Sequence, residues 1–354
     1  MSEEVYRQLQ ERLDTYSVGY PATESGVEIK ILKVLFSLDD ANVFLGMTQK
    51  LETADNIAQR MERPLESVVS QLEAMTDKGL LFRLKKGERS RYAAIPFVHG
   101  LFEFQVKDLG VELAELMEQY HKEGFLQAFE NSGGMFLRTV PVQTSIEAGH
   151  NVAAYDDAVA MFKDKDPIVV TDCICRKQQQ TVGQGCGKAL EACFMFGSMG
   201  QYYIDKGMGR KVDMEEAMAL LKKAQDDGLV TQPATTQNPH GMCNCCGDCC
   251  GVLRSLKSYP KPAELVYSNH FATVDADLCT GCETCFERCQ MDAIALNADE
   301  VAEIDLDRCI GCGLCISTCP TEAMLLQPKE DHYIPPTTTA EQMMTMAQNR
   351  GLVS

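Results

Sequence analysis

The chain has 354 residues, of which 51 are acidic and 33 are basic, giving a net charge of −18. Hydrophobic residues make up 45% of it, which is enough to bury several cores and excludes a wholly disordered chain. The negative charge disfavours nucleic acid as the main partner, because phosphate binding needs clustered Lys and Arg.

A chain of this length is expected to form two or three domains. Its beginning, MSEEVYRQLQERLDTYS, lacks the charged and apolar segments of a signal peptide. No uninterrupted apolar stretch reaches the roughly 18 residues that a membrane helix needs. We therefore expect a cytoplasmic protein without membrane insertion. In that reducing compartment, its 17 cysteines indicate metal or redox chemistry rather than disulfides.

The N-terminal part predicts a compact helical module. Apolar spacing predicts a helix within residues 1–20 and another over 27–38. Thr53 is a candidate N-cap for a short helix, and Pro64 opens a longer one that stops at Gly79. The segments LLFRL and RYAAI, joined by KKGERS, predict a hairpin. Helix, turn, helix and two-stranded wing follow one another as in winged-helix domains of transcriptional regulators.

The charge of this module bears on its role. In such regulators the second helix enters the major groove of DNA. Residues 51–95 hold eight basic and seven acidic side chains, too few net positive charges for tight DNA binding. We favour a role in protein interaction or dimerisation over DNA binding. The predicted groove helix carries three acids against one base: Glu66, Glu73, Asp77 and Lys78.

Further helices are predicted over 105–131, and a region dense in cysteine follows. Its nine cysteines exceed what one four-iron cluster needs. Eight could serve two clusters, or four could serve one with the rest as reserve, redox or packing groups. The other interpretations are zinc, a dithiol relay and inert buried thiols. The nine are Cys173, Cys175, Cys186, Cys193, Cys243, Cys245, Cys246, Cys249 and Cys250.

The spacing within this region favours an additional iron–sulfur centre. Cys246-x2-Cys249 is the usual clip spacing for a metal. The tighter pairs Cys243-x-Cys245 and Cys173-x-Cys175 could each hold two corners of one cluster, whereas adjacent cysteines rarely bind the same metal. Arg176 directly follows the second tight pair and would offset the negative charge of a cluster.

An internal repeat with an offset of 30 residues occupies the last quarter of the chain. Each copy has the spacing C-x2-C-x2-C-x3-C, in which three thiolates wrap one cluster and the fourth binds the other cluster. Gly281, Gly311 and Gly313 would let the backbone turn close to the clusters. We predict cluster I on Cys279, Cys282, Cys285 and Cys319, and cluster II on Cys309, Cys312, Cys315 and Cys289.

This repeat resembles the bacterial two-[4Fe-4S] ferredoxins over about 55 residues. A pair of zinc sites is the alternative, but zinc does not need the doubled spacing. Gln290 stands where that family usually has the proline seen here at Pro320. Residues 271–330 carry twelve acids and three bases, a net of −9, which is either a solvated surface or a docking face for a redox partner.

Taken whole, the chain resembles a family of multidomain iron–sulfur proteins common in anaerobes. The resemblance rests on MSEEVY, PATESGVE, PFVHGLFEFQ, the CxCR segment, the CNCC…CC segment and the terminal repeat. We expect a multidomain α+β protein. Its parts would be a helical, winged-helix-like domain (1–100), a cysteine-rich α/β middle domain (101–269), a ferredoxin-like domain with two [4Fe-4S] clusters (270–328) and an extended C-terminal tail (329–354).

Three functions remain open from the sequence. The favoured one is an electron-transfer protein, or a subunit of an anaerobic redox complex with redox protein partners, that relays electrons between the two C-terminal clusters and a further centre in the nine-cysteine region. The second is an oxidoreductase with that region as its active site, although no flavin or nicotinamide fingerprint is present. The third is a redox-sensing winged-helix regulator.

Overall fold

The structure is a computed structural model that describes residues 2–132, 134, 136–147 and 152–353. Helices dominate its N-terminal part, and an antiparallel sheet dominates the middle. In the described part of the chain, no helix is long and apolar enough to cross a membrane. The N-terminal elements are α1 (Ser2–Asp14), α2 (Val27–Leu35), α3 (Leu38–Leu45), α4 (Ala54–Met61), α5 (Leu65–Asp77), β1 (Phe82–Lys86) and β2 (Arg89–Ala93).

Helix α3 was not expected from the sequence as a separate element. The predicted helix over 27–38 ends at Leu35, and a new helix begins after Ser37. The Ser37 hydroxyl accepts from the Asp40 N–H, and the Asp40 carboxylate accepts from the Ser37 N–H. This reciprocal cap starts a new helix because it satisfies two backbone donors at once.

The hairpin of β1 and β2 is tighter than the sequence suggested. Lys86 pairs directly with Arg89, so only two residues form the turn. Gly87 takes a φ of 60° there, which glycine adopts without strain. The four predicted helices, α1, α2, α4 and α5, and the hairpin thus occur in the expected order. The winged-helix assignment itself remains a prediction.

Helices and a five-stranded sheet make up the middle of the chain. The strands lie in the order β5-β3-β4-β7-β6, and every neighbouring pair is antiparallel. The middle region is therefore α+β rather than the expected α/β. Its elements are α6 (Val111–Tyr120), α7 (Leu126–Glu130), α8 (Gln143–Glu147), α9 (Ala158–Phe162), β3 (Ile168–Asp172), α10 (Ile174–Thr181), β4 (Glu191–Phe196), α11 (Gly197–Asp205), β5 (Gly209–Val212), α12 (Met214–Asp226), β6 (Val230–Pro233), β7 (Gly241–Cys245), α13 (Gly251–Ser258) and α14 (Pro262–Leu265).

Apolar side chains on one face of this sheet pack against α9 and α12. The ring of Phe162 meets those of Phe194 and Phe196 edge-on at 4.9 and 5.4 Å. Val170 and Leu221 are buried in the same cluster. Edge-on contacts of this kind stabilise aromatic cores beyond the area that they bury. This packing covers one face of the sheet, and Cys193 of β4 and Cys243 of β7 lie on the other face, because neighbouring residues of a strand point to opposite faces.

Two small antiparallel sheets carry the internal repeat near the C-terminus. Strand β8 pairs with β11, and β9 pairs with β10. The chain then runs without helix or strand over 329–338 before a final helix, whose Gln342 side chain donates to the Phe136 carbonyl at 3.1 Å. The elements are β8 (His270–Val274), α15 (Thr284–Arg288), β9 (Ile294–Leu296), β10 (Ala302–Ile304), β11 (Met324–Pro328) and α16 (Thr339–Asn349).

Candidate metal centres

Six of the nine middle-region cysteines converge from three separate stretches of the chain. Residues two apart on a strand share a face, so β7 directs Cys243 and Cys245 the same way. Cys193 of β4 lies directly opposite Cys243. Helix N-termini supply the rest: Cys173 caps α10, Cys175 lies in its first turn, and Cys250 caps α13.

The six thiols form a closed circuit, which we call the six-thiol ring. Each thiol shifts the pKa of two others, which are its neighbours in the ring. The order around the ring is Cys173, Cys175, Cys250, Cys245, Cys243, Cys193 and back to Cys173.

The pKa shifts of the thiols alternate around the ring. Bonds from neighbouring thiols lower the pKa of Cys173, Cys243 and Cys250. The same bonds raise the pKa of Cys175, Cys193 and Cys245. Without a cation, one thiolate disfavours ionisation of the next, because like charges repel in a buried site. Metal ions would relieve that repulsion.

The ring lines one wall of a largely apolar cavity in which the centres of water molecules could occupy about 80 Å³. Polar groups on the other walls include His99, Glu103, Tyr203 and His240. This is several times the roughly 10–15 Å³ that one water requires. The cavity is therefore large enough for a bound group in contact with the thiols.

Sequence reasoning missed His99, whose Nε2 lies 3.9 Å from the Cys243 sulfur. Burial lowers the pKa of His99, but the hydrogen bond and charge of Cys243 outweigh it, so the net shift is upward. His99 has a φ of 59°, in the left-handed region. The only signal for it was its place in the segment PFVHGLFEFQ.

The remaining three cysteines form a second cluster, the three-thiol group of Cys186, Cys246 and Cys249. Their sulfurs all lie within 4.8 Å of one another. The sulfurs of Cys186 and Cys246 are 3.7 Å apart. A hydrogen bond from Cys249 lowers the pKa of Cys246 to about 6, against the effect of burial and with help from the Arg176 charge.

Adjacent cysteines are divided between the two clusters. Cys245 belongs to the ring and Cys246 to the three-thiol group, and the pair Cys249 and Cys250 is split in the same way. That neighbours in sequence do not share one metal stays a prediction. The two tight pairs that the sequence singled out both lie in the ring.

Arg176 provides a test of whether a metal fits here. Its side chain is 2% exposed, and NH1 donates to the Asn244 carbonyl at 3.0 Å and lies 4.0 Å from the Cys246 sulfur. Its Nε and NH2 are buried and bond with no group in the described residues. A buried guanidinium without an anion is strongly unfavourable. A metal–thiolate centre supplies that anion, whereas neutral thiols do not.

An ion pair holds the helices that carry the ring. The carboxylate of Glu118 on α6 accepts from both terminal nitrogens of Arg254 on α13, each at 2.8 Å. It also accepts from Gln179 of α10 at 2.6 Å. Burial opposes ionisation, but these bonds lower the pKa of Glu118 to about 2. The pair therefore ties α10 and α13, whose N-termini bear ring cysteines, to α6.

The eight C-terminal cysteines fall into two groups of four. One small cavity is lined by Cys279, Cys282, Cys285 and Cys319. Another is lined by Cys289, Cys309, Cys312 and Cys315. These are the two groups expected if each repeat supplies its fourth cysteine to the cluster of the other repeat. Binding of clusters by these cysteines remains a prediction.

The surroundings of these groups fit iron–sulfur clusters. Backbone N–H groups of Ala293 and Ala302 donate to the sulfurs of Cys289 and Cys279 at 3.2 and 3.4 Å. Such bonds stabilise anionic cluster sulfurs. Gly281, Gly311 and Gly313 all have positive φ, as the close turns require.

The two groups differ in depth. Cys282 is exposed, so the first group lies at the surface. Burial raises the pKa of Cys312 to about 12 in the second group. Neutral thiols are favoured there until a metal binds, because the apolar surroundings disfavour a free thiolate.

Gln290, the departure from the ferredoxin pattern, joins the repeat to the middle region. Its Oε1 accepts from the Gly247 N–H at 2.6 Å, directly after Cys246. A Cβ on Gly247 would lie 2.7 Å from the Gln290 carbonyl oxygen, so glycine is needed for this approach. One hydrogen bond therefore links the residue after Cys289 to the residue after Cys246.

The two groups of four cysteines belong to a ferredoxin-type dicluster domain near the C-terminal end. Residues 272–326 match the family model of the 4Fe-4S dicluster domain. Comparison with curated proteins and with solved structures found no match. The dicluster domain and the cysteine-rich region together indicate iron–sulfur electron transfer.

Proposed function

We propose that the chain relays electrons between two C-terminal [4Fe-4S] clusters and an additional iron–sulfur centre on the six-thiol ring. The carrying observation is the convergence of seven thiols, the six of the ring and Cys249, around one cavity. Beside them lies the buried Arg176, whose Nε and NH2 have no protein partner among the described residues. Zinc suits thiolates as well, but it has no redox chemistry and would end a relay.

The relay runs inward from the surface. Cluster I would exchange electrons with a partner, because Cys282 is exposed and acidic side chains surround it. Cluster II would lie deeper, on ligands that include Cys312 and Cys289. From cluster II the electron path would continue through the loop of the middle region in which the Gly247 N–H bonds to Gln290. The chain would thus serve redox protein partners, as a separate carrier or as a subunit of a larger anaerobic complex.

Iron and sulfide analysis of the anaerobically purified chain, with EPR of the reduced protein, tests this proposal. Two ferredoxin clusters account for about eight irons per chain. We expect about twelve or more, with a signal that is lost in Cys175→Ala and Cys245→Ala while the ferredoxin signals persist. A content of about eight irons, or ring variants without effect on the iron content, would contradict the extra centre.

A stand-alone oxidoreductase is the second candidate. The cavity beside the ring favours it, because His99 lies 3.9 Å from the Cys243 sulfur and Glu103 lines the same cavity. A small substrate could then meet the terminal centre within the protein. Turnover of a substrate by the isolated chain, without a partner protein, would distinguish this function from electron transfer alone.

We propose that the winged-helix-like region contacts protein rather than DNA. Two of the three acids of α5 are engaged within the chain: Glu73 pairs with Arg83, and Asp77 pairs with Lys206, which directly follows α11. The Tyr202 hydroxyl donates to the Leu81 carbonyl at 2.8 Å, which packs the region on the middle sheet. A gel-shift assay at physiological salt tests this, and specific binding there would favour the regulator instead.

The proposed location is the cytoplasm. Its basis is that all 17 cysteines are free thiols, which a reducing compartment preserves.

A further inference from the structure

The three-thiol group brings together two loops that are far apart in the sequence. Cys186 lies in a segment without helix or strand, and Gly187 directly after it has a φ of 73°, a turn that glycine makes without strain. Cys246 and Cys249 lie between β7 and α13 and are 0% and 1% exposed. Of the three, only Cys249 also lines the cavity of the ring. The group therefore lies at the edge of that cavity.

The distances between these sulfurs fit one metal ion. Zinc binds thiolates at about 2.3 Å in tetrahedral geometry, so two of its sulfur ligands lie about 3.8 Å apart. The sulfurs of Cys186 and Cys246 are 3.7 Å apart, and all three sulfurs lie within 4.8 Å of one another. A four-iron cubane needs a wider spacing, because each of its cysteines binds a different iron. The spacing therefore indicates a single ion.

Arg176 is the second observation that points to an ion bound by thiolates. Its guanidinium is buried, with NH1 4.0 Å from the Cys246 sulfur, and its Nε and NH2 have no bond within the described residues. Three free thiolates this close together would repel one another, and three neutral thiols would leave the guanidinium without an anion. Three thiolates on a divalent ion carry one net negative charge, which a single guanidinium balances.

We propose that Cys186, Cys246 and Cys249 bind one zinc ion, whose fourth tetrahedral position is taken by water or another ligand from solution. In the part of the chain that the structure describes, the group contains no fourth Cys, His, Asp or Glu. Thiolates favour zinc over iron(II), which the same ligands bind more weakly. Copper(I), the other metal that thiolates favour, would leave two negative charges beside one guanidinium.

Zinc at this position would fasten the loop that meets the ferredoxin-like part. The N–H of Gly247, directly after Cys246, donates to the Gln290 side chain. The ion pair of Lys188 and Asp248 spans the same two loops at 3.8 Å, but such a partly exposed pair contributes little. Zinc has no redox chemistry, so it would hold this loop in place without carrying electrons. The site thus goes beyond the proposed relay and does not depend on it.

Zinc and iron analysis of the anaerobically purified full chain tests the site. We expect about one zinc per chain, with sulfur ligands at about 2.3 Å in X-ray absorption at the zinc edge. Cys186→Ala should lose the zinc and keep its iron, and it should disturb packing little because Cys186 is half-buried. Gln184→Ala, at an exposed position of the same loop, is the matched control and should keep both metals.

Two further variants separate this site from the ring. Cys246→Ala should lose the zinc as Cys186→Ala does, whereas Cys175→Ala in the ring should keep it. A wild-type chain without zinc, or zinc that both Cys186→Ala and Cys246→Ala retain, would overturn the proposal. Loss of iron in Cys186→Ala would overturn it as well, because Cys186 would then serve an iron–sulfur centre. Loss of zinc in Cys175→Ala would do the same, because the ion would then lie in the ring.

Discussion

Arg176 shows how much one side chain of the middle region depends on its surroundings. In an exposed position it would need no partner, but at 2% exposure its charge requires an anion nearby. Thiols from the ring and from the three-thiol group both lie around it. Its charge therefore stabilises whichever redox state of a centre is more negative.

Replacement of Arg176 with Gln should lower the reduction potential of the middle-region centres. Glutamine keeps a donor for the Asn244 carbonyl but removes the charge that favours the reduced, more negative cluster. We expect a fall on the order of tens of millivolts, measured by EPR-monitored redox titration. Arg89→Gln, on the exposed hairpin, is the control and should change nothing. An unchanged potential in Arg176→Gln would show that the guanidinium does not sense the centre.

At the scale of elements, the pair of Glu118 and Arg254 holds α6, α10 and α13 together. Both side chains are largely buried, with 9% and 19% of their side-chain surface exposed. Removal of one partner leaves the other charge buried and unpaired, which costs about 3 kcal/mol. Two of the helices that this pair connects, α10 and α13, begin directly after Cys173 and Cys250.

We predict that Glu118→Gln destabilises the protein by about 3 kcal/mol at pH 7, visible as a lower thermal midpoint. The bonded carboxyl has a pKa of about 2, against 4.5 when unfolded. Its contribution is therefore complete above about pH 4.5 and is lost only as the pH falls towards 2. The same destabilisation should appear at pH 5.5 and pH 7. Glu115→Gln, exposed on the same helix, should leave the midpoint unchanged.

The junction at Gln290 joins two loops rather than two helices. Arg288 supports it by donating to the Asp226 and Gln225 carbonyls at 2.7 and 2.8 Å, at the end of α12. Gln290 itself is 8% exposed. A proline in its place, as at Pro320, could not make the bond to Gly247.

Gln290→Met should slow electron transfer from cluster II to the middle region without loss of iron. Methionine has a similar shape but no acceptor for the Gly247 N–H, so the hydrogen bond between the two loops is lost. Stopped-flow reduction, followed at signals of the middle region, measures the rate. Gln290→Glu keeps an acceptor and should restore it. Equal rates in all three proteins would exclude the junction as the path.

At the scale of the whole molecule, the charge is uneven. Residues 271–330 carry a net of −9, which is half of the total of −18. Most of these acids are exposed, and Glu283 and Glu287 flank the exposed Cys282. Leu278, 47% exposed, lies beside Cys279. An acidic face with an apolar residue at the cluster edge favours a positively charged redox partner.

Reversal of two of these charges in Glu283→Lys/Glu287→Lys should change reduction by charged dyes in opposite directions. Methyl viologen radical, a cation, should react several-fold more slowly, and dithionite, an anion, more quickly. Both differences should vanish at about 1 M salt, where the Debye length is near 3 Å. Glu3→Lys/Glu4→Lys, with the same change in net charge, is the control. An equal response of both variants would mean that reduction senses only total charge.

The sequence alone determined the features that depend on local spacing. The doubled C-x2-C-x2-C-x3-C pattern predicted the dicluster domain that residues 272–326 match, because three of its four ligands come from one loop. The hairpin and the helices before it were also predicted, since caps and turns act within a few residues. Gln290 was recognised as irregular, but its bond to Gly247 was not.

Only the tertiary structure decided how the nine middle cysteines are grouped. Ring members come from β4, β7 and two helix N-termini, and strand pairing sets Cys193 opposite Cys243. Cys245 belongs to the ring and Cys246 to the three-thiol group because their side chains leave the end of β7 in different directions. The spacing of cysteines in the sequence does not predict these directions. His99 reaches Cys243 across 144 residues. Contacts at such separations depend on packing, and no local pattern encodes them.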